Sequence, residues 1–294
     1  MVQPEKSPRL RRPMTAIQIF LLSDGPWPKP RIRSIGQFIL EFIRNDELGR
    51  GYNPPLLGDS MRIGVGLPLP PDCKVHAVVA ETFMILAGLE GFEFRPYYAD
   101  GIYVACNRNN VANRFLKDKW ADILWFLDSD NGIDADGFKL MIEDIKRNDI
   151  DILTAVYVQT GGKKFIDTVP MGFNLSHHGY PYFFDPIDRA SFLPPGKLAK
   201  MTDREESRFF IAPAGCLMVK RKVFEKVPFP WFQNYLDYQP EKGICHNIGE
   251  DNYFSIYVQK HGFDIWLEPR VNSPHCKGPI KYTLQGEQDF IQGG

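Results

Sequence analysis

Ile123-Leu-Trp-Phe-Leu127 is an unbroken apolar run that ends abruptly on Asp128-Ser129-Asp130. A run this short, apolar at every position, reads as a strand buried on both faces of a sheet. If the extended backbone persists, residues two apart point the same way, so both carboxylates leave one side of the strand end. Two such charges about 6 Å apart repel by roughly 3 kcal/mol at an effective dielectric near 20. That repulsion calls for a compensating cation, and a divalent ion with oxygen ligands, shared with a diphosphate, is the natural one. The simpler alternative is a turn at Asp130 and Asn131 ahead of the next helix.

The surrounding pattern supports a large α/β unit. Arg62–Pro68 reads as a strand, Val75–Leu89 as a helix with Val78, Val79, Thr82, Phe83 and Leu86 on one stripe, and Phe92–Tyr98 as a strand. Cys106–Lys119 reads as a helix with an unusually polar entry, Asn107-Arg-Asn-Asn110, and the Asp128 strand follows. Asp134 is placed to cap a helix reaching Arg147, with Phe138, Met141, Ile142 and Ile145 inward, and Ile150–Val158 is the next strand. Alternating strands and helices predict a parallel sheet with right-handed crossovers and a ligand beyond the strands' carboxyl ends, where Asp128 and Asp130 lie. Further on, Phe209–Arg221 reads as a strand continuing through Val223–Val227, Glu250–His261 as a helix and Asp264–Leu267 as a short strand.

Residues 1–60, rich in Pro, Arg and Gly, read as an extension loosely ordered or strapped on the core, and residues 61–278 as the main domain. Within it, 165–208 carries little periodicity but many aromatics (Phe173, Tyr180, Tyr182, Phe183, Phe184), the mark of a loop-rich, substrate-facing insertion. Residues 279–294 read as a polar C-terminal tail.

Composition excludes several classes. The chain has 294 residues and a net charge of −1, so it has no general field for nucleic acid. No apolar run is long enough to span a bilayer. Five widely spaced cysteines without a C-x-x-C pair suggest reduced thiols and a cytoplasmic location rather than a disulfide framework or structural zinc.

Three more stretches carry chemistry. Pro213-Ala-Gly-Cys216 offers small residues that let backbone approach a ligand. Gly249-Glu-Asp-Asn252 puts Glu250 and Asp251 at a helix start, where the dipole favours their ionised form. Pro274-His-Cys-Lys-Gly278 places an imidazole and an ammonium in a late turn.

In order, a D-x-D strand end, a small-residue strand opening into LMVKRKVFEKV, a GED helix start and a late His resemble GT-A-fold glycosyltransferases, closest to family 2-like bacterial and phage enzymes. CNRNNVANRFL resembles that family's Arg-Asn helix, and FPWF its aromatic segment before the acidic motif. The resemblance covers roughly residues 61–278 and implies a Rossmann-like, mixed but mostly parallel sheet flanked by helices.

It implies that Asp128 and Asp130, with His275, hold Mn²⁺ or Mg²⁺ on the diphosphate of a sugar nucleotide, a UDP-sugar above all. It sets Arg108 and Asn109 near the nucleotide, Ala214 and Gly215 near the sugar, and Lys277 at the phosphates. Asp251 becomes the acceptor-activating base and Glu250 a hydrogen-bonding partner to acceptor or sugar. The acceptor stays open among saccharide, protein and modified nucleobase. A late His occurs in both retaining and inverting GT-A families, and retention would remove the need for a base. The first strand departs from the family by ending in GLPLPP rather than a short polar loop. Two alternatives stand beside this reading. One is a haloacid-dehalogenase-like phosphatase, whose D-x-D normally opens the chain; the other is a non-catalytic sugar-nucleotide-binding protein on the same fold.

Overall fold

The computed structural model describes residues 60–156, 158–160, 168–170, 173–175, 184–186, 197–202, 210–277, 280–283 and 286–289. The N-terminal extension lies outside them, as does most of the aromatic insertion.

The first half alternates as the pattern predicts: β1 (Met61–Leu69), α1 (Ala77–Ala87), β2 (Phe92–Asp100), α2 (Val104–Asp118), β3 (Ile123–Leu127), α3 (Ala135–Arg147) and β4 (Ile152–Val156). Short strands follow: β5 (Val158–Thr160), β6 (Thr168–Pro170), β7 (Phe173–Leu175), β8 (Phe184–Pro186), β9 (Ala199–Lys200) and β10 (Phe210–Ile211). The remainder comprises β11 (Cys216–Lys220), α4 (Arg221–Lys226), β12 (Tyr235–Gln239), β13 (Ile244–Ile248), α5 (Glu250–Lys260), β14 (Ile265–Asn272), β15 (His275–Lys277), β16 (Ile280–Thr283) and β17 (Gly286–Asp289). No helix among the described residues is long and apolar enough to cross a membrane.

The main sheet has seven strands in the order β2-β1-β3-β11-β4-β14-β9. β2, β1, β3, β4 and β14 run the same way, whereas β11 is antiparallel to both its neighbours and β9 is antiparallel to β14. This is a mixed, mostly parallel α/β sheet with helices on both faces, as expected.

β3 divides the core as its sequence requires. Ile123, Trp125 and Leu127 pack into one hydrophobic layer with Val78, Phe138, Met141 and Ile142 from α1 and α3. Leu124 and Phe126 join the opposite layer with Val111, Phe115, Phe224 and Phe254 from α2, α4 and α5. Burial on both faces demands an apolar residue at every position, which accounts for the absence of alternation. α3 starts where Asp134 accepts a hydrogen bond from the Gly137 amide at 2.7 Å.

Close approach of α2 to the sheet depends on the glycines of β1. A Cβ at Gly66 would lie 2.9 Å from Val111 Cγ1, and one at Gly64 would lie 3.0 Å from Phe115 Cδ2, both on α2. This proximity lets the first turns of α2 reach the carboxyl edge of β3.

Two expectations change. The stretch from Phe209 is not one long strand: β10 ends at Ile211, the chain turns through Ala212–Gly215, and β11 begins at Cys216. The Ala212 amide donates to Ser255 Oγ at 2.9 Å instead of to a neighbouring strand, and Pro213 has no amide to donate. Val223 and Phe224, read as strand, sit on the short helix α4, because one helical face suffices to bury both. In the tail, β16 and β17 extend β15 into a three-stranded meander.

Candidate functional site

The D-x-D turn is stitched to three other segments by main-chain hydrogen bonds. The Asp128 amide donates to Gly215 O at 3.0 Å, and the His76 amide donates to Ser129 O at 2.7 Å. The Gly132 amide donates to Pro274 O at 3.1 Å, and the Cys276 amide donates to Asp130 O at 2.8 Å. An antiparallel bridge joins Asn131 to His275. Side chains reinforce the seam: Ser273 Oγ donates to Gly132 O at 2.8 Å, and Asn131 Nδ2 lies 3.3 Å from Ser273 Oγ. His275 thereby returns over the strand end, its Nε2 3.5 Å from Asp130 Oδ2.

Arg108 is the second organiser. Its side chain is only 3% exposed, and its guanidinium reaches three separate segments. Nη2 lies 2.8 Å from Asp128 Oδ1 and donates to Oδ2 at 3.1 Å; Nε donates to Glu250 Oε1 at 3.3 Å; Nη1 donates to Ala214 O at 3.2 Å. The rings of Phe126 and Phe232 flank it at 5.7 and 6.0 Å. Asn109, expected beside the nucleotide, is spent on the protein itself. Its Nδ2 donates to Phe232 O at 2.6 Å, and its Oδ1 accepts from the Trp231 and Phe232 amides at 3.1 and 3.2 Å. Asn107 likewise ties Leu69 O to Gly101 O, at 2.9 and 3.1 Å. The polar entry to α2 was visible in sequence; its use as a set of clamps was not, because every partner except Gly101 is distant along the chain.

Glu250 and Asp251 occupy the first turn of α5, where the macrodipole meets them. Asp251 Oδ1 accepts from the Asn252 amide at 2.8 Å. Burial pushes the Asp251 carboxyl up to about 7, and the neighbouring Glu250 charge adds to the rise while Arg108 opposes it. Ser255 and Gln259, one and two turns on, hold α5 against the Ala212 and Phe210 backbone. Neither stood out in sequence. Ala214 and Gly215 are brought to the same edge, with carbonyls turned to Arg108 and to the Asp128 amide. Lys277 lies in β15 beside His275, and its side chain falls outside the described structure.

The site is rich in negative charge. Burial raises the Asp128 carboxyl above the usual range; Arg108 opposes the rise, and the Asp130 and Glu250 charges reinforce it. Asp128 Oδ1 is sealed from solvent and accepts no hydrogen bond, despite the nearby Arg108 nitrogen. Beside this arginine-paired carboxylate, the Asp130 carboxylate and the His275 imidazole form a donor pair suited to a divalent cation. Among the described residues, no three His, Cys, Asp or Glu side chains converge closely enough to cage an ion unaided. A metal here would take Asp130 and His275 and draw the rest of its shell from phosphate and water.

No family model matches the chain. No curated protein matches it either. Among solved structures, A197 from STIV aligns at 16% identity over 77% of this chain and 91% of that one, with a TM-score of 0.48. A CMP:2-keto-3-deoxy-manno-octonic acid synthetase complexed with CTP aligns at 10% identity over 71% and 89% of the two chains, with a TM-score of 0.35. Likeness at these levels carries no weight for function, which rests on the geometry above.

Proposed function

We propose that the protein is a metal-dependent glycosyltransferase that moves a sugar from a nucleotide-diphosphate sugar, most simply a UDP-sugar, to an acceptor hydroxyl. One observation carries the reading: at the carboxyl edge of a mostly parallel sheet, Arg108 joins Asp128 to Glu250, with the Asp130–His275 pair on the Asp128 turn and Asp251 next to Glu250. Open α/β sheets bind ligands at this edge.

Asp130 and His275 would hold Mn²⁺ or Mg²⁺. When bound, the ion supplies neutralising charge to the departing diphosphate. Asp251 takes the proton of the acceptor hydroxyl as its oxygen forms a bond to the anomeric carbon and the bond to the diphosphate oxygen breaks. A carboxylate titrating near 7 suits that task, because it is ionised often enough to accept the proton and basic enough to keep it. Glu250, fixed by Arg108, presents its remaining oxygen to acceptor or sugar.

The phosphatase alternative fares worse. That family's D-x-D normally opens the chain, whereas Asp128 follows two strand–helix units, β1–α1 and β2–α2.

The test is calorimetric titration of UDP with and without Mn²⁺, followed by an assay of donor hydrolysis and of transfer to mixed acceptors. Mn²⁺-dependent UDP binding with donor turnover is expected. UDP binding indifferent to EDTA would remove the metal from the mechanism, and binding without any turnover would favour a non-catalytic sugar-nucleotide-binding protein.

A further inference from the structure

We infer that Arg108 is a positioning residue rather than a nucleotide contact: its buried guanidinium sets the spacing between the strand end that bears Asp128 and the helix start that bears Glu250 and Asp251. The inference rests on the transferase reading above.

The guanidinium has a rigid, planar set of donors and no acceptor. Here those donors are distributed over Asp128, Glu250 and Ala214 O, which come from β3, α5 and the turn before β11. With 3% of its side chain exposed, little surface is left to offer a nucleotide. The helix that carries it is pinned on both sides. Asn107 fastens α2 to the ends of β1 and β2, and Asn109 fastens it to Trp231 and Phe232. The flanking rings of Phe126 and Phe232 restrict the plane of the fork.

Arg108 thus touches both acidic motifs directly, one proposed to hold the donor and the other to activate the acceptor. Their separation must match the distance over which the sugar moves. A misplacement of about 1 Å can cost about 10²-fold in rate, so a residue that touches neither substrate can govern turnover. Lysine in its place keeps the charge but offers one compact ammonium, which cannot span three acceptors on three segments.

The experiment compares R108K with the parent in three readouts: thermal midpoint, Mn²⁺–UDP affinity by calorimetry, and kcat and KM for donor and acceptor. The expected result is a folded protein with Mn²⁺–UDP affinity within about threefold of the parent and kcat lowered about 30-fold or more, at unchanged donor KM. A donor KM raised tenfold with parental kcat would make Arg108 a nucleotide contact and overturn the inference. A lower midpoint with parental kcat and KM would reduce it to packing and overturn it equally. If R108K does not fold, the double variant R108Q/E250Q removes the buried cation and one of its partners together. With E250Q alone as the reference, retained Mn²⁺–UDP binding and a kcat about tenfold or more below that of E250Q supports the inference there, and a kcat equal to that of E250Q overturns it. A parent that neither binds Mn²⁺–UDP nor transfers sugar would instead sink the transferase reading, and this inference with it.

Discussion

His275 Nε2 stands 3.5 Å from Asp130 Oδ2, and the backbone, rather than the two side chains, enforces that approach. The Asn131–His275 bridge and the Cys276 amide donating to Asp130 O would bring the two positions together whatever residues stood there. A pair held this way can be altered chemically without dismantling the loop.

H275A and D130N should therefore fold, with stability losses of about 1 kcal/mol or less, while weakening Mn²⁺ binding in the presence of UDP by about tenfold or more. Electron paramagnetic resonance of free Mn²⁺ during titration reads the affinity directly. Parental affinity in H275A would remove the imidazole from the metal site, and parental affinity in D130N would remove the D-x-D motif from it.

Gly132 behaves differently, because its constraint is packing. A Cβ there would lie 2.5 Å from Val78 Cγ2, 3.0 Å from Thr82 Oγ1 and 3.4 Å from Pro274 Cγ. Thr82 Oγ1 also accepts the Ile133 amide at 3.1 Å, so α1 cannot yield without breaking that bond. G132A should destabilise the fold by about 1–3 kcal/mol, measured as a shift in urea midpoint, and should also weaken Mn²⁺–UDP binding by displacing the Asp130–His275 seam. A parental midpoint would mean the loop relaxes freely.

Much of this arrangement was legible because its signals are local. The apolar run of β3, the cap at Asp134 and the inward stripe of α3 are each written within a few neighbouring residues, and the structure reproduces them. The antiparallel insertion of β11 between β3 and β4 was not, since pairing partners leave no trace in a strand's own composition. Nor was the hairpin of β12 and β13. The site divides along the same line: the carboxylates were visible as motifs, but the compensating charge on Asp128 was expected from a metal alone, and a guanidinium on α2 supplies part of it.

A second charge cluster, two buried carboxylates under an exposed arginine, went unread for the same reason. Glu268, fully buried on β14, accepts from the Arg270 amide at 2.8 Å and from its Nε at 2.7 Å, and Arg270 Nη2 also reaches Asp144 of α3 at 2.9 Å. R270M strips the cation from two carboxylates and should cost about 1–2 kcal/mol, because the carboxylates are buried while the exposed Arg270 is screened by solvent. Chemical denaturation measures it. A loss below about 0.5 kcal/mol would place Arg270 among ordinary surface ion pairs.

Asp251 links stability and activity through one proton. Burial and the Glu250 charge raise its carboxyl to about 7 in the folded protein, whereas an unfolded aspartate titrates near about 4. The folded state therefore binds this proton more tightly. The group's contribution to stability is fully present below about pH 4 and is lost as pH rises towards about 7. Asp144, also raised to about 7, pulls in the same direction, so D251N should flatten this decline in part rather than abolish it. Activity runs the opposite way, because a base must be ionised. Transfer by the parent should rise through about pH 7 and level off above it. D251N should lower transfer about 10²-fold on the plateau above about pH 7, erase that inflection so that the difference shrinks as pH falls, and leave Mn²⁺–UDP affinity close to the parent's. The opposing slopes separate the two roles: a variant that changes only the stability profile would make Asp251 a buried structural acid. A pH inflection that persists in D251N would assign the base to another group, and a product with the donor's anomeric configuration would argue that no base acts at this position.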